Sequence, residues 1–493
     1  MKNELEKSEV CKMRRTKIIC TLGPATDVPG VLENMMKAGM NVARMNFSHG
    51  DHEEHKGRMD MVKAARAALG RPCGIMLDTR GPEIRTKTYK EGRIEIQEGQ
   101  RFTLTTRDIE GDNTIVSITY EGLPNDVQPG TKILIDDGLV GFEVETIENG
   151  TDIVCRATNG GPLSNRKSIN VPGITLNMPY LSDKDRADIE FGLTQGIDFI
   201  AASFCRSAQD MRDIKAILKA NGKEDVQIIA KIENMEGVNN LCEILDEVAG
   251  VMVARGDLGV EVPFEMLPQI QKEIIKGCIA RGKRVVTATQ MLESMAKNPR
   301  PTRAEVSDVA NAVYDGTSAI MLSGETATGK YPVETVAAMS SIAVNAESNI
   351  HYNTRRMTRP EFQSLQMTGD HVTNAIAHAT CTTSHDLDAK CIVAFTESGS
   401  TARAVASFRP EHPIIGATPS EKTYHRLSMS WGVYPVLVER PTSGTMLYEQ
   451  SVIAARRAVE CNPGDLITIT AGMPVGQANF TNTLRVFRLP EEK

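Results

Sequence analysis

The sequence predicts an α/β protein built on a closed (β/α)8 TIM barrel, with an inserted small all-β barrel domain and a C-terminal α/β domain. Three observations predict it. Eight short apolar runs alternate with amphipathic segments of helical length through about residue 345, the pattern of parallel strands joined by crossover helices. From Gly81 to about Asn170 that rhythm gives way to Thr-, Val- and Ile-rich alternation broken by Gly and Asn-Gly. Beyond about residue 345 a second strand–helix series begins. A doubly wound open sheet competes with the barrel for the first series.

Taken in order, the barrel strand candidates are 16–22, 41–47, 73–79, 197–203, 226–232, 250–256, 284–290 and 318–324. Between them lie segments such as "PGVLENMMKAG", "SDKDRADIEFGL" and "FEMLPQIQKEIIKGCIA", with apolar residues three and four apart. The interruption after the third strand holds "RFTLTT", "TIVSIT", "TKILIDDGLVGFEVETI" and "DIVCRAT". Gly81–Pro82 and Val171–Pro172–Gly173 bracket it as candidate hinges. A polar linker, "NIHYNTRRMTRPEFQSLQMTGD", precedes "CIVAF", "PIIGAT", "GVYPVLV", "DLITIT" and "TLRVFRL". The expected division is 1–81 and 171–346 for the barrel, 82–170 for the insert and 347–493 for the third domain with its linker.

Composition narrows the function classes. The chain has 493 residues, 41% hydrophobic and 24% charged, and a net charge of −7, which argues against nucleic acid as the main partner. The N-terminal "MKNELEKSEVCKMRR" lacks the apolar core of a signal peptide, and no apolar run is long enough to span a bilayer, so no membrane partner is expected. Ten scattered cysteines without a C-x-x-C pair fit reduced thiols, hence a cytoplasmic protein.

Residues i and i+2 of a strand share a face. Arg44, Asn46 and Ser48 then share one at the second strand, Asp78 and Arg80 at the third, Lys231 and Glu233 at the fifth. Arg255 and Asp257 do so at the sixth, and Thr287 and Thr289 at the seventh. All lie at carboxyl ends, where barrel active sites are built. Glu233 and Asp257 are hard oxygen ligands suited to Mg²⁺ or Mn²⁺. Lys231 and the arginines supply cations for phosphate or carboxylate. With no general-base histidine or Cys–His pair at a strand end, electrostatic stabilisation of an oxyanion or migrating phosphoryl group is favoured over covalent catalysis. Singly, each feature has a structural reading: an ion pair at Lys231–Glu233, a helix cap at Asp257, β-propensity at Thr287 and Thr289, a turn at His49. Position on the barrel joins them into a site.

The motifs "TKIICTLGPA", "ARMNFSHG", "LDTRGPEIRT", "IIAKIEN", "MVARGDLGVE", "ATQMLESM" and "AIMLSGETATGKYP" resemble the pyruvate kinase family across the whole barrel. The resemblance implies phosphoryl transfer from phosphoenolpyruvate to ADP. It places the divalent ion on Glu233 and Asp257, and Lys231 against the phosphoryl group and enolate oxygen. It puts Arg44 on the phosphoryl group, and backbone near Arg255, Gly256 and Asp257 with the Thr289 hydroxyl on the carboxylate. Thr289 also lies where the family delivers a proton to the enolate. Asn46, His49, Arg85 and Lys167 fall on the nucleotide side, with the insert as lid. Asn46, Ser48, Asp78 and Thr79 are the implied K⁺ ligands, and Glu83 stands where K⁺-requiring members carry glutamate.

The third domain's "TESGSTARAV" implies an effector loop, Thr396, Ser398, Gly399, Ser400 and Thr401, for a sugar phosphate or nucleotide. Two departures bear on that reading. Ser400 stands where bisphosphate-responsive members often have a basic residue, and "GMPVGQANFTNT" lacks the Trp and Arg of some members. A homotetramer is expected from the family. A Mg²⁺-enolate lyase or aldolase and a catalytically silent metabolite sensor are the competing readings.

Overall fold

The computed structural model describes residues 13–352, 354, 370–476 and 480–490. Its centre is a closed barrel of eight parallel strands: Lys17–Thr21, Val42–Asn46, Gly74–Asp78, Phe199–Ala202, Gln227–Ile232, Gly250–Ala254, Arg284–Ala288 and Ala319–Leu322. Closure is made by the first strand, which pairs with both the second (Cys20↔Ala43) and the eighth (Lys17↔Ala319). That disposes of the open-sheet alternative. The strands read as unbroken apolar runs because both faces are buried. Ile19, Val42, Met76, Phe199, Met252 and Val286 fill the barrel interior. Ile18, Ala43, Ile75, Ile200 and Val285 face the helices. Helix starts are fixed locally: Ser207 and Thr302 close capping boxes with Asp210 and Glu305.

Except for the fifth, which ends at Ile232 as expected, the strands end one or two residues earlier than the sequence predicts. Glu233 lies just beyond its strand, while Arg255 and Asp257 open the helix Arg255–Glu261 instead of extending the sixth strand. Thr289 follows its strand at φ +66, so the alternation that would pair it with Thr287 stops there.

Between the third and fourth barrel strands, seven strands form a sheet whose outer members are Ile84–Arg85 and Ile115–Ser117. The edges meet through Lys87 N–H to Ser117 O (2.7 Å) and Thr119 N–H to Arg85 O (3.0 Å), which closes the sheet into a small barrel. Phe102 and Phe142 stack at its core, ring centroids 5.4 Å apart. Gly81 enters this segment at φ +74, and a Cβ there would come within 2.9 Å of Ser203, so glycine is required on both counts.

The C-terminal part is a five-stranded sheet, Val433–Leu437, Ile414–Thr418, Ile392–Phe395, Leu466–Ala471 and Thr483–Arg488 in spatial order, the last strand antiparallel. It docks on the amino end of the barrel. Lys17 Nζ donates to Val433 O (2.6 Å), and Gly74 N–H donates to Ser428 Oγ (3.1 Å). Most of the expected linker, residues 353 and 355–369, lies outside the described residues, as do residues 1–12 and 477–479 of the C-terminal loop. Among the described residues no helix is long and apolar enough to cross a membrane.

Candidate active site

The carboxyl ends of the second to fifth barrel strands converge on Lys231. Its Nζ reaches Ser203 Oγ (2.7 Å), Glu233 Oε1 (3.0 Å) and Asp78 Oδ1 (3.2 Å). Burial works to lower this ammonium, but Asp78 and Glu233 overcome it and hold the pKa above its usual value. Asp78 also accepts from Arg44 Nε (2.6 Å), and Arg44 Nη1 continues to Thr21 Oγ1 (2.8 Å). Burial would raise the Asp78 carboxyl, yet Arg44 and Lys231 hold it below the carboxylate range. The lysine is therefore charged and aimed before any substrate arrives.

Glu233 is fully buried. Its Oε2 accepts the Phe204 N–H at 2.6 Å, while Oε1, although 3.0 Å from the ammonium, has no hydrogen bond. Its contact with the protein on that side is the ion pair with Lys231. Burial pushes the Glu233 carboxyl up; Lys231 opposes this, and the neighbouring Asp257 adds to it. Asp257, half-buried in the first turn of its helix, lines a cavity of about 270 Å³ between the insert and the barrel, together with Glu83, Ser168, Asn170 and Phe204. Two neighbouring carboxylates, Glu233 and Asp257, fit a hard divalent ion, which takes one or two carboxylates and leaves positions for substrate oxygens. Among the described residues no cluster of three or more His, Cys, Asp or Glu side chains offers a fuller cage.

Thr289 follows the seventh barrel strand. Its Oγ1 accepts the Gly256 N–H (2.8 Å) and donates to Ala288 O (2.6 Å). A β-branched residue at positive φ costs about 1–3 kcal/mol and persists only where its surroundings impose it. Here Arg255 imposes it. Buried, it donates through Nη2 to Thr289 O (2.6 Å) and Gln290 O (3.2 Å), through Nε to Ala288 O (3.2 Å), and pairs with Asp308 (2.8 Å). The guanidinium expected among the substrate-facing cations is instead the clamp that shapes the Thr289 turn.

The remaining predicted residues are more dispersed. Asn46 Oδ1 accepts the Ser48 N–H (3.2 Å), and Ser48 and His49 are exposed. Thr79 O accepts from Ser203 Oγ at 2.6 Å, which places Thr79 and Asp78 on one hydroxyl. In the insert, Arg85 Nε donates to Glu83 Oε2 (2.8 Å) and Lys167 pairs with Asp136 (2.9 Å). In the C-terminal part, Gly399 (φ +86) precedes the helix Ser400–Ser407, and its N–H donates to Thr396 Oγ1 (2.9 Å). Ser398 and Ser400 hydroxyls meet at 3.2 Å, while Thr401 is buried against Thr481 (2.7 Å). Thr396, Ser400 and Thr401 line a cavity of about 390 Å³ with Arg440 and Thr442.

Ser203, Thr21 and the Phe204 N–H were not singled out in the sequence. Ser203 had a signal: it follows the fourth strand two residues after Ala201, so the strand-end rule applied to it equally. The Phe204 N–H had none, because a backbone donor has no residue identity.

A parallel barrel whose carboxyl end carries a caged ammonium, paired carboxylates and a strained hydroxyl turn is the framework of a metal-assisted enzyme acting on anionic substrates. The family model "Pyruvate kinase, barrel domain" matches residues 13–336, and "Pyruvate kinase, alpha/beta domain" matches 374–487. A curated pyruvate kinase of Clostridium acetobutylicum is 47% identical over 475 residues, 96% of this chain and 99% of that one. Those of Geobacillus stearothermophilus and Staphylococcus saprophyticus are 48% and 46% identical, over 96% and 97% of this chain and 80% and 81% of theirs. The chain belongs to the pyruvate kinase family.

Proposed function

We propose a division of labour for the residues around Lys231 in the reaction that family membership assigns. The chain is a phosphotransferase that moves the phosphoryl group of phosphoenolpyruvate to ADP, giving pyruvate and ATP. One observation carries the residue-level reading: Lys231 is held charged by Ser203 Oγ and Asp78 Oδ1, which accept from it, and by its ion pair with Glu233. Such a cation needs little reorganisation when negative charge moves toward it. Lys231 and Arg44 face the transferring phosphoryl group, and Lys231 then stabilises the enolate oxygen left behind. The Gly256 and Asp257 backbone with the Thr289 hydroxyl hold the substrate carboxylate. Thr289, through water, delivers the proton that turns enolate into ketone.

Glu233 and Asp257 would hold Mg²⁺ or Mn²⁺, which when bound polarises the substrate oxygens. Asn46, Ser48, Asp78 and Thr79 offer one carboxylate among neutral oxygens, a donor set for K⁺. Asn46, His49, Arg85 and Lys167 meet the nucleotide when the insert, 82–170, closes on the barrel, 1–81 and 171–346, and excludes water. The C-terminal part, 347–493, carries the effector loop Thr396–Thr401, whose cavity suits a sugar phosphate or nucleotide. A cytoplasmic homotetramer completes the proposal.

The test is a coupled assay of pyruvate formation from phosphoenolpyruvate and ADP, with Mg²⁺ and K⁺ each omitted in turn. Loss of activity on either omission supports the ligand sets. Full activity without a divalent ion removes Glu233 and Asp257 from this role.

A further inference from the structure

The chain turns just after the fourth barrel strand, and that turn grips the strand that carries Lys231. Ser203 is 2% exposed, and Phe204 stands at φ +51, a left-handed conformation that a bulky side chain adopts only where its surroundings impose it. Three successive residues make three different contacts with Lys231 and Glu233. Ser203 Oγ accepts from Lys231 Nζ (2.7 Å), the Phe204 N–H donates to Glu233 Oε2 (2.6 Å), and the Cys205 N–H donates to Lys231 O (3.2 Å). One turn therefore holds the backbone of the lysine, its ammonium, and the carboxylate two residues on.

The turn is itself anchored. Thr79 N–H donates to Ala201 O (3.0 Å), Ser203 N–H donates to Thr79 Oγ1 (3.1 Å), and the Tyr180 hydroxyl donates to Ser203 O (3.1 Å). The Ser203 hydroxyl reaches Thr79 O at 2.6 Å and Asp78 Oδ1 at 3.1 Å. A carbonyl can only accept, and Arg44 and Lys231 hold the Asp78 carboxyl ionised, so it too can only accept. The one proton of Ser203 goes to one of these two, and its lone pairs are left to the ammonium. Donor chemistry alone thus fixes the order Lys231 N–H, Ser203 O–H, acceptor. In a buried run of this kind each hydrogen bond polarises the next.

We propose that Ser203 is a positioning residue for phosphoryl transfer: its hydroxyl, locked against the end of the third strand, sets where the Lys231 ammonium points. Asp78 and Glu233 supply the charge that keeps the lysine protonated, but Coulomb attraction has little direction, and Asp78 is shared with Arg44 (2.6 Å). The hydroxyl adds no net charge. Its bond at 2.7 Å is the shortest of the three contacts to Nζ and gives the ammonium its aim. The inference rests on the reading of Lys231 as the cation that faces the phosphoryl group and the enolate oxygen. Misplacing such a group by about 1 Å costs about 10²-fold in rate.

The test is steady-state kinetics of the coupled reaction in full chains carrying Ser203→Ala, Ser203→Cys, Lys231→Met, or Ser203→Ala with Lys231→Met, each shown to be folded by circular dichroism at the assay temperature. Ser203→Ala should lower turnover about 10- to 100-fold and change the half-saturating phosphoenolpyruvate concentration about threefold or less, the mark of a contact that matters in the transition state. Ser203→Cys fills nearly the same space with a weak acceptor and should lose about as much, so it reads the hydroxyl even if the alanine chain fails to fold. With Lys231→Met already present, Ser203→Ala should change turnover about twofold or less, because no ammonium is left to place. A near-normal rate in Ser203→Cys, a loss confined to half-saturation, or losses that multiply in the double variant each overturn the inference. Near-normal turnover in Lys231→Met alone overturns the reading of the lysine and takes the inference with it, so the two failures are told apart.

Discussion

Lys231→Met is the most informative perturbation, because the structure separates its catalytic effect from its structural one. Removing the ammonium leaves Asp78, which keeps Arg44 at 2.6 Å, and Glu233, which keeps only the Phe204 N–H at 2.6 Å. Stripping one partner from a buried ion pair costs about 3–5 kcal/mol. Proton uptake by Glu233, whose carboxyl is already raised by burial, returns part of that, so a loss near 3 kcal/mol is expected at neutral pH. The turnover effect should be larger than a structural change of that size explains. Losing a preorganised cation that faces developing charge costs at least ~10³-fold, about 4 kcal/mol of barrier. The assay is the coupled rate at saturating phosphoenolpyruvate and Mg²⁺, with calorimetric binding of both in parallel. Binding should persist while turnover collapses. Near-normal turnover, or loss of turnover only in step with loss of binding, would refute the role and leave Lys231 as a structural ion pair.

Other outcomes follow from neighbouring contacts. The Glu233 carboxyl is held above its unfolded value, so its contribution favours the fold below the ordinary carboxylate pKa and is lost as pH rises toward the raised value. A divalent ion favours the ionised form, so the Tm gain from Mg²⁺ should grow from about pH 6 to about pH 8; a gain independent of pH contradicts Glu233 as a ligand. Arg255→Lys keeps the charge but loses the fork that holds Thr289 O and Gln290 O, and should cost about 10²-fold in turnover through misplacement of Thr289; wild-type rates would show that the turn holds itself. Activity should depend strongly on K⁺ in buffers of bulky organic cations, with Glu83→Lys relieving much of it; equal rates with and without K⁺ in the unmutated chain overturn those ligands. A sugar phosphate should lower the half-saturating phosphoenolpyruvate concentration, and Ser398→Glu should abolish that response while sparing the unstimulated rate. Thr401, buried against Thr481, is the poorer position for the same charge.

Much of this was legible in the chain. Both-face burial writes barrel strands as continuous apolar runs, and two-residue alternation with turn residues marks the insert, so fold class follows from patterns that extend over many residues. The polar residues at strand ends stood out for a related reason: Lys231 and Glu233 are costly inside apolar sequence unless something compensates them. What compensates them could not be read, because the partners of Lys231 are Asp78 and Ser203, 153 and 28 residues away in the chain. Arg255 and Lys231 looked alike as strand-end cations. Tertiary structure alone divides them, since one guanidinium turns onto the carbonyls of Ala288, Thr289 and Gln290 while the ammonium stays among carboxylates. The left-handed turn at Phe204 is likewise invisible in the sequence, where "AASFCRS" is only a strand end. Residue type determines which groups can carry charge, and the sequence by itself supplied that. Which charges are paired, and with what, depends on distances across the barrel, which closure of the chain decides.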